Sequence, residues 1–465
     1  MNLQSFHAKA RCGTVATPLF RHTLVRIRIT GGMMAKTTIT AVKARQILDS
    51  RGRPTVEADV MLEGGAMGRA SVPSGASTSR SEAHELRDGD AVIYFGRGVS
   101  NAVANVAEEI APLLRGRDAD DQAGVDGSMQ ALDGTPRLER LGANAVLAVS
   151  LATCRAAAEA AREPLHRRLG ALAGAGDPVL PLPMVNILSG GLHAGRGMDV
   201  QDFLAVPLTA TDYPSALHDI IRVRAAAEEV VERYGAPVLL ADEGGLSPGC
   251  PSAEIALRLM VEAIERAGLT PGRDIGIAID VAATSLLGAD GSYAFSREGR
   301  SLDSAGMIET VAEWVERFPI VSVEDGLHDE DWDHWPELTR RLSRIQVVGD
   351  DLFSTSPERI RRGMEVGAAN SVLIKLNQNG TLTGTLDAIA TARAGGYSTV
   401  VSARSGETGD SFMSDLAVGA VGGQIKIGSV RNTERLEKYN QLLRIAEDPA
   451  VGYAGARFLA GQRGP

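Results

Sequence analysis

PIVSVED (319–325) and IQVVGDD (345–351) decide the fold. Each is a short run rich in β-branched residues that stops on two acids. These are Glu324 and Asp325 in one, Asp350 and Asp351 in the other. The form repeats outward in both directions. IGIAI stops on Asp280, SVLI on Lys375, TVVSA on Arg404 and Ser405, and GQI on Lys426. PVLL reads as a further strand of the same kind, leading into Asp242 and Glu243. Helix-like stretches separate the runs. Short buried strands alternating with helices make a parallel α/β barrel. In such a barrel the carboxyl ends of the strands share one face. The steps from Asp280 through Glu324, Asp350, Lys375 and Arg404 to Lys426 are 44, 26, 25, 29 and 22 residues. A βα unit takes about 25–30 residues, so each step holds one helix and one return strand, with an insertion in the first.

Upstream the grammar changes. Residues 37–48 and 54–63 read as two strands around the turn Asp49-Ser50-Arg51-Gly52, and 101–173 is rich in Ala and Leu at helical spacing. Strands followed by helices give an α+β domain. Gly174-Ala175-Gly176-Asp177-Pro178 marks its end. The expected organisation is an α+β cap over 37–173 and an α/β barrel over 179–455. Before them, residues 1–36 contain no Asp or Glu but include Lys9, Arg11, Arg21, Arg26, Arg28 and Lys36. An acid-poor, basic start is the composition of a transit peptide. The reading preferred here is a tail outside the fold, or a start assigned too early with Met33 or Met34 as the true one.

With 465 residues the chain has room for both domains. Its net charge of −10 argues against a nucleic-acid or anionic-membrane partner. Three cysteines with no CxxC exclude a disulfide framework or a zinc ribbon. The composition suits a cytoplasmic enzyme, and the most apolar stretch, around 145–154, is too short to span a bilayer.

Asp280, Glu324 and Asp350 would meet at the barrel mouth. Hard oxygen donors without Cys or His suit Mg²⁺. A lone acid at a strand end is usually a helix cap, but three at successive strand ends point to a metal. Lys375 is placed to act as a general base, its pKa lowered by a divalent cation and other cations beside it. Glu243 is placed to act from another side. Arg404, Ser405 and Gly406 form a cradle for phosphate, and Lys426 could hold a second anionic end. A base, an acid, Mg²⁺ and an anion clamp suit proton abstraction next to a carboxylate followed by loss of a leaving group, with the metal stabilising the enolate.

Over residues 37–455 the chain resembles the enolase family. The resemblance is carried by ILDSRGRPTVE (47–57), PSGAST (73–78), ELRDGD (85–90), LGANAVLAVSLA (141–152), DEGG (242–245), VSVEDGL (321–327), VVGDDLF (347–353), IKLNQ (374–378), RSGET (404–408) and ERLEKYNQLLRI (434–445). It implies an α+β cap and a barrel with an antiparallel beginning. It implies cytoplasmic, glycolytic dehydration of 2-phosphoglycerate to phosphoenolpyruvate, by a homodimer or larger oligomer. Matched by motif, Asp280, Glu324 and Asp350 would bind the first of two Mg²⁺ ions. Ser77 would join the second with the substrate phosphate. Lys375 would be the base and Glu243 the acid, with Asp202 beside it. Arg404 and Ser405 would hold phosphate, Lys426 and Gln201 the carboxylate and hydroxyl end, and His193 would close over the substrate.

The chain departs from the family pattern at the site. Gln-Glu-Phe is here Gln201-Asp202-Phe203, one methylene shorter. Ser-His-Arg-Ser is Ser402-Ala403-Arg404-Ser405, and a glycine after PSGAST is Ser79, followed by Arg80. These changes raise a second reading, a specialised paralogue acting on a bulkier or more anionic phosphoglycerate relative such as its carboxyphosphono analogue. A third, of another class, is a non-catalytic binding or scaffold protein. Retention of Lys375, Glu243 and all three acids argues against it.

Overall fold

The computed structural model describes residues 36–75, 79–420 and 422–459, apart from the Phe458 side chain. The expected basic extension lies outside the described residues except for Lys36, whose ammonium pairs with Glu63 at 2.9 Å. Ser77 also lies outside them.

The chain opens with a three-stranded antiparallel sheet of β1 (Ile39–Leu48), β2 (Pro54–Leu62) and β3 (Met67–Ser71). Helices α1 (Ser100–Asn105), α2 (Ala111–Leu114), α3 (Gln122–Asp133), α4 (Ala143–Ala161) and α5 (Leu165–Leu172) follow. Helix α4 is the centre of this cap. Its ANAVLAVSLATC sequence is apolar on every side, as a helix enclosed by protein must be, and Val146, Leu147 and Val149 are wholly buried. It lies on β2 and β3, and its other side meets barrel helices.

After the two-residue β4 (Val179–Leu180) comes an eight-stranded closed barrel. Its strands are β5 (Leu182–Ser189), β6 (Asp202–Pro207), β7 (Ile275–Asp280), β10 (Ile320–Glu324), β11 (Gln346–Gly349), β12 (Ser371–Ile374), β13 (Ser398–Ser402) and β14 (Gln424–Gly428). Strand β6 runs antiparallel to both β5 and β7, and the other neighbours are parallel. The insertion expected between Asp280 and Glu324 is the hairpin β8 (Tyr293–Phe295) and β9 (Arg300–Leu302). Strand β15 (Gly452–Tyr453) pairs with β4. Helices α6 (Tyr213–Tyr234), α7 (Ala253–Arg266), α8 (Ser304–Arg317), α9 (Trp335–Arg341), α10 (Pro357–Val366), α11 (Leu376–Asn379), α12 (Leu382–Ala394), α13 (Phe412–Gly419) and α14 (Thr433–Ile445) link or follow the barrel strands. Leu182, Met184, Leu204, Val206, Val348, Leu373 and Val400 form one buried cluster inside the ring, so the barrel is packed and chemistry is confined to its ends.

One expected strand is absent. PVLL (237–240) is irregular, with Leu240 bridged only to Leu246. Pro237 has no N–H to give a ladder, and β5 and β6 have already supplied the strands that close the ring. Leu239 is therefore 57% exposed.

Candidate active site

The barrel register sets the acids side by side. Asp280 ends β7 and pairs in register with Glu324, which ends β10. Asp350 follows the last residue of β11. Between them stand two lysines. The Lys426 ammonium, from the middle of β14, donates to Asp280 Oδ2 at 2.8 Å and Glu324 Oε2 at 2.7 Å. The Lys375 ammonium, from the residue after β12, donates to Asp350 Oδ2. Burial would lower both lysines, but these carboxylates outweigh it and hold each above the ordinary lysine value. Among these side chains Asp350 is the dominant neighbour of Lys375; the lowering expected from the sequence is for a lysine beside a bound divalent cation. Lys426 thus stands over Asp280 and Glu324. Gln201, just before β6, donates from Nε2 to Asp280 Oδ2 at 3.2 Å.

Two further acids complete the cluster. Asp325, held at φ 43, accepts the backbone N–H groups of Asp350 and Asp351, each at 2.9 Å. Among the described residues, the carboxylates of Asp325, Asp350 and Asp351 come within 4.8 Å of one another. Burial, with Asp350 adding to it, pushes Asp351 up to about 7.

Across the mouth lies a second group. The turn Gly191–Ala194 carries His193. Asp202, wholly buried at the start of β6, faces His193 Nδ1 at 3.1 Å. It also accepts from Asn186 Nδ2 at 2.5 Å and Ser189 Oγ at 3.0 Å. His193 Nε2 is 3.8 Å from Glu243 Oε1. Burial works to lower the imidazole, but Asp202 and Glu243 prevail and raise it to about 9. Burial likewise opposes ionisation of Glu243, yet His193, Arg435, Lys426 and Lys375 keep it below the ordinary value.

The third group joins cap to barrel. Arg404 follows β13, and its guanidinium donates to Glu82 of the cap at 3.0 Å and to Asn377 at 3.0 Å. Ser405 Oγ accepts from Arg51 Nη1 at 3.0 Å, so the cap's Asp49–Gly52 turn also reaches this wall. The methyl group of Ala403 lines the pocket here. Arg80 does not: it is exposed, and its carbonyl accepts from Arg137 at 2.5 Å.

One cavity of about 40 Å³ is lined by Lys375, Glu243, Asp280, Asp350, Arg404, Ser405, Lys426, His193 and Gln201. Asp202 and Glu324 lie beneath it as partners of His193 and Lys426. The ion pairs fill the mouth, so a ligand would exchange with them. A larger groove of about 750 Å³, between α4 and α14, contains none of the predicted residues. Sequence reasoning passed over Arg51, Glu82, Asp325 and Asp351. The acid pairs in VSVED and VVGDD were the visible signal for the last two.

The residues fit a hard divalent cation. The donors are carboxylate oxygens, and Glu324 Oε1 is buried with no hydrogen-bond partner. Residues 39–169 match the model of the enolase N-terminal domain, and residues 177–462 match that of the enolase C-terminal TIM barrel domain.

Proposed function

Since the chain belongs to the enolase family, we propose that it is a Mg²⁺-dependent hydro-lyase converting 2-phosphoglycerate to phosphoenolpyruvate. The observation that supports this most is the convergence of Lys375, Glu243, Asp280, Asp350 and Arg404 on one pocket. Once released from its pairing with Asp350 and deprotonated, the amine of Lys375 takes the proton from C2. Glu243, from another arc of the ring, gives a proton to the hydroxyl leaving C3, so that water departs. Arg404 and Ser405 hold the phosphoryl group, and Lys426 and Gln201 meet the carboxylate and hydroxyl end. Asp202 holds the His193 ring against Glu243. Asp280, Glu324 and Asp350 would hold Mg²⁺, which would supply positive charge beside the substrate carboxylate. The reading carries with it a second Mg²⁺ at Ser77, a cytoplasmic setting and a homodimer or larger assembly. No helix among the described residues is long and apolar enough to cross a membrane.

Proton exchange at C2 in deuterated buffer, followed by magnetic resonance, tests the reading. Exchange that needs Mg²⁺ supports it, and an inert C2 proton refutes it. Ala403 favours a second reading, since a methyl group leaves more room beside Arg404 than an imidazole would. On that reading the substrate is a bulkier phosphoglycerate relative. Restoring Ala403→His together with Asp202→Glu should then raise kcat/KM on 2-phosphoglycerate. An unchanged value removes the support for a switched substrate.

A further inference from the structure

Glu82 comes from the cap, 322 residues from Arg404, yet grips its guanidinium. Oε2 accepts from Arg404 Nη1 at 3.0 Å and Oε1 from Nη2 at 3.4 Å. Both side chains are 5% exposed. Oε1 also accepts from the Ser79 backbone N–H at 3.2 Å and from Gln378 Nε2 at 3.4 Å. The same Gln378 nitrogen donates to Asp350 Oδ1 at 2.9 Å. One cap carboxylate thus ties together the arginine, the chain at Ser79 and a barrel acid.

A guanidinium is a rigid planar fork on a flexible stem, so its usefulness to an oxyanion depends on where the fork points. Glu82, Asp350 and Glu85 all attract the Arg404 charge. Without Glu82, Asp350 and Glu85 would be left to attract the fork. We propose that Glu82 is a positioning residue, which holds Nη1 and Nη2 of Arg404 so that the guanidinium meets a phosphoryl group instead of Asp350. This rests on the reading of Arg404 as the phosphate clamp.

The sign of the effect separates positioning from simple electrostatics. Removing a carboxylate beside an anion site strengthens anion binding by Coulomb's law alone. Loss of positioning weakens it, on the order of tenfold for a supporting partner of this kind. The test titrates inorganic phosphate calorimetrically into the Mg²⁺-loaded full chain as wild type, Glu82→Ala, Glu82→Gln and Arg404→Met. Steady-state kinetics on 2-phosphoglycerate and melting temperatures accompany it. The expected result is phosphate binding weakened about tenfold in Glu82→Ala, with Glu82→Gln between it and wild type. KM should rise more than kcat falls. Where Glu82→Ala leaves a buried unpaired charge and does not fold, Glu82→Gln carries the comparison. Phosphate bound as tightly as in wild type, or tighter, by the Glu82 variants but not by Arg404→Met overturns the role of Glu82 and leaves the clamp standing. Phosphate bound equally by Arg404→Met, or not bound by wild type, overturns the clamp and this inference with it.

Discussion

On the proposed mechanism Lys375 and Glu243 differ in what their loss should do, because one would remove a proton and the other would give one. Lys375→Ala should abolish exchange of the C2 proton with solvent. Glu243→Gln should retain exchange while dehydration stops. Exchange lost in Glu243→Gln but kept in Lys375→Ala would reverse the two roles. His193 gives a prediction about pH. Its pKa is raised from an ordinary 6.5 to about 9 by Asp202 and Glu243 against the effect of burial. A raised basic group contributes stability that is complete below its unfolded pKa and is lost as pH rises through the folded one. In chelator, the melting temperature of wild type should exceed that of His193→Gln most near pH 6, and the gap should close by about pH 10. A gap that is constant or widens with pH would show that His193 is not held as a cation. The acids at strand ends were legible in the sequence because three of them stop successive apolar runs, a repetition that a lone helix cap does not produce. Glu82 and Arg51 were not, since their partners lie 322 and 354 residues away and only the folded chain brings them together.

At the scale of elements, the cap sheet is seated by close backbone approach. A Cβ on Gly68 of β3 would lie 2.0 Å from the Ala152 carbonyl oxygen and 2.3 Å from the Ala156 nitrogen, both on α4. Backbone cannot swing aside as a side chain can. Gly68→Ala should therefore destabilise the protein by about 3 kcal/mol, the upper range for overpacking, as read from denaturant unfolding. A change below about 1 kcal/mol would mean that sheet and helix are not locked together. Strands β10 and β11 were readable from their apolar runs and terminal acids. PVLL was misread for the same reason: four apolar residues look alike whether or not their N–H groups find a ladder. What settled it was Pro237 and a ring already closed by β5 and β6, which no local pattern reveals. The hairpin β8–β9 was visible only as extra length between Asp280 and Glu324.

The whole molecule assembles three sets of groups at one barrel end: acids bridged by lysines, a carboxylate–imidazole–carboxylate row, and an arginine steered from the cap. The alternation of runs and helices made the barrel legible, and the resemblance supplied its antiparallel start. The sequence did not disclose how tightly opposite charges pair across the mouth, because that depends on closure of the ring. The same closure makes the catalytic claim testable in one step. The full chain is mixed with 2-phosphoglycerate and Mg²⁺, and the ultraviolet absorbance of the enol product is followed with and without chelator. The account predicts turnover that stops when the metal is removed. Absence of product with Mg²⁺ present, while the C2 proton still exchanges, would contradict 2-phosphoglycerate dehydration and leave the enolate chemistry serving another substrate.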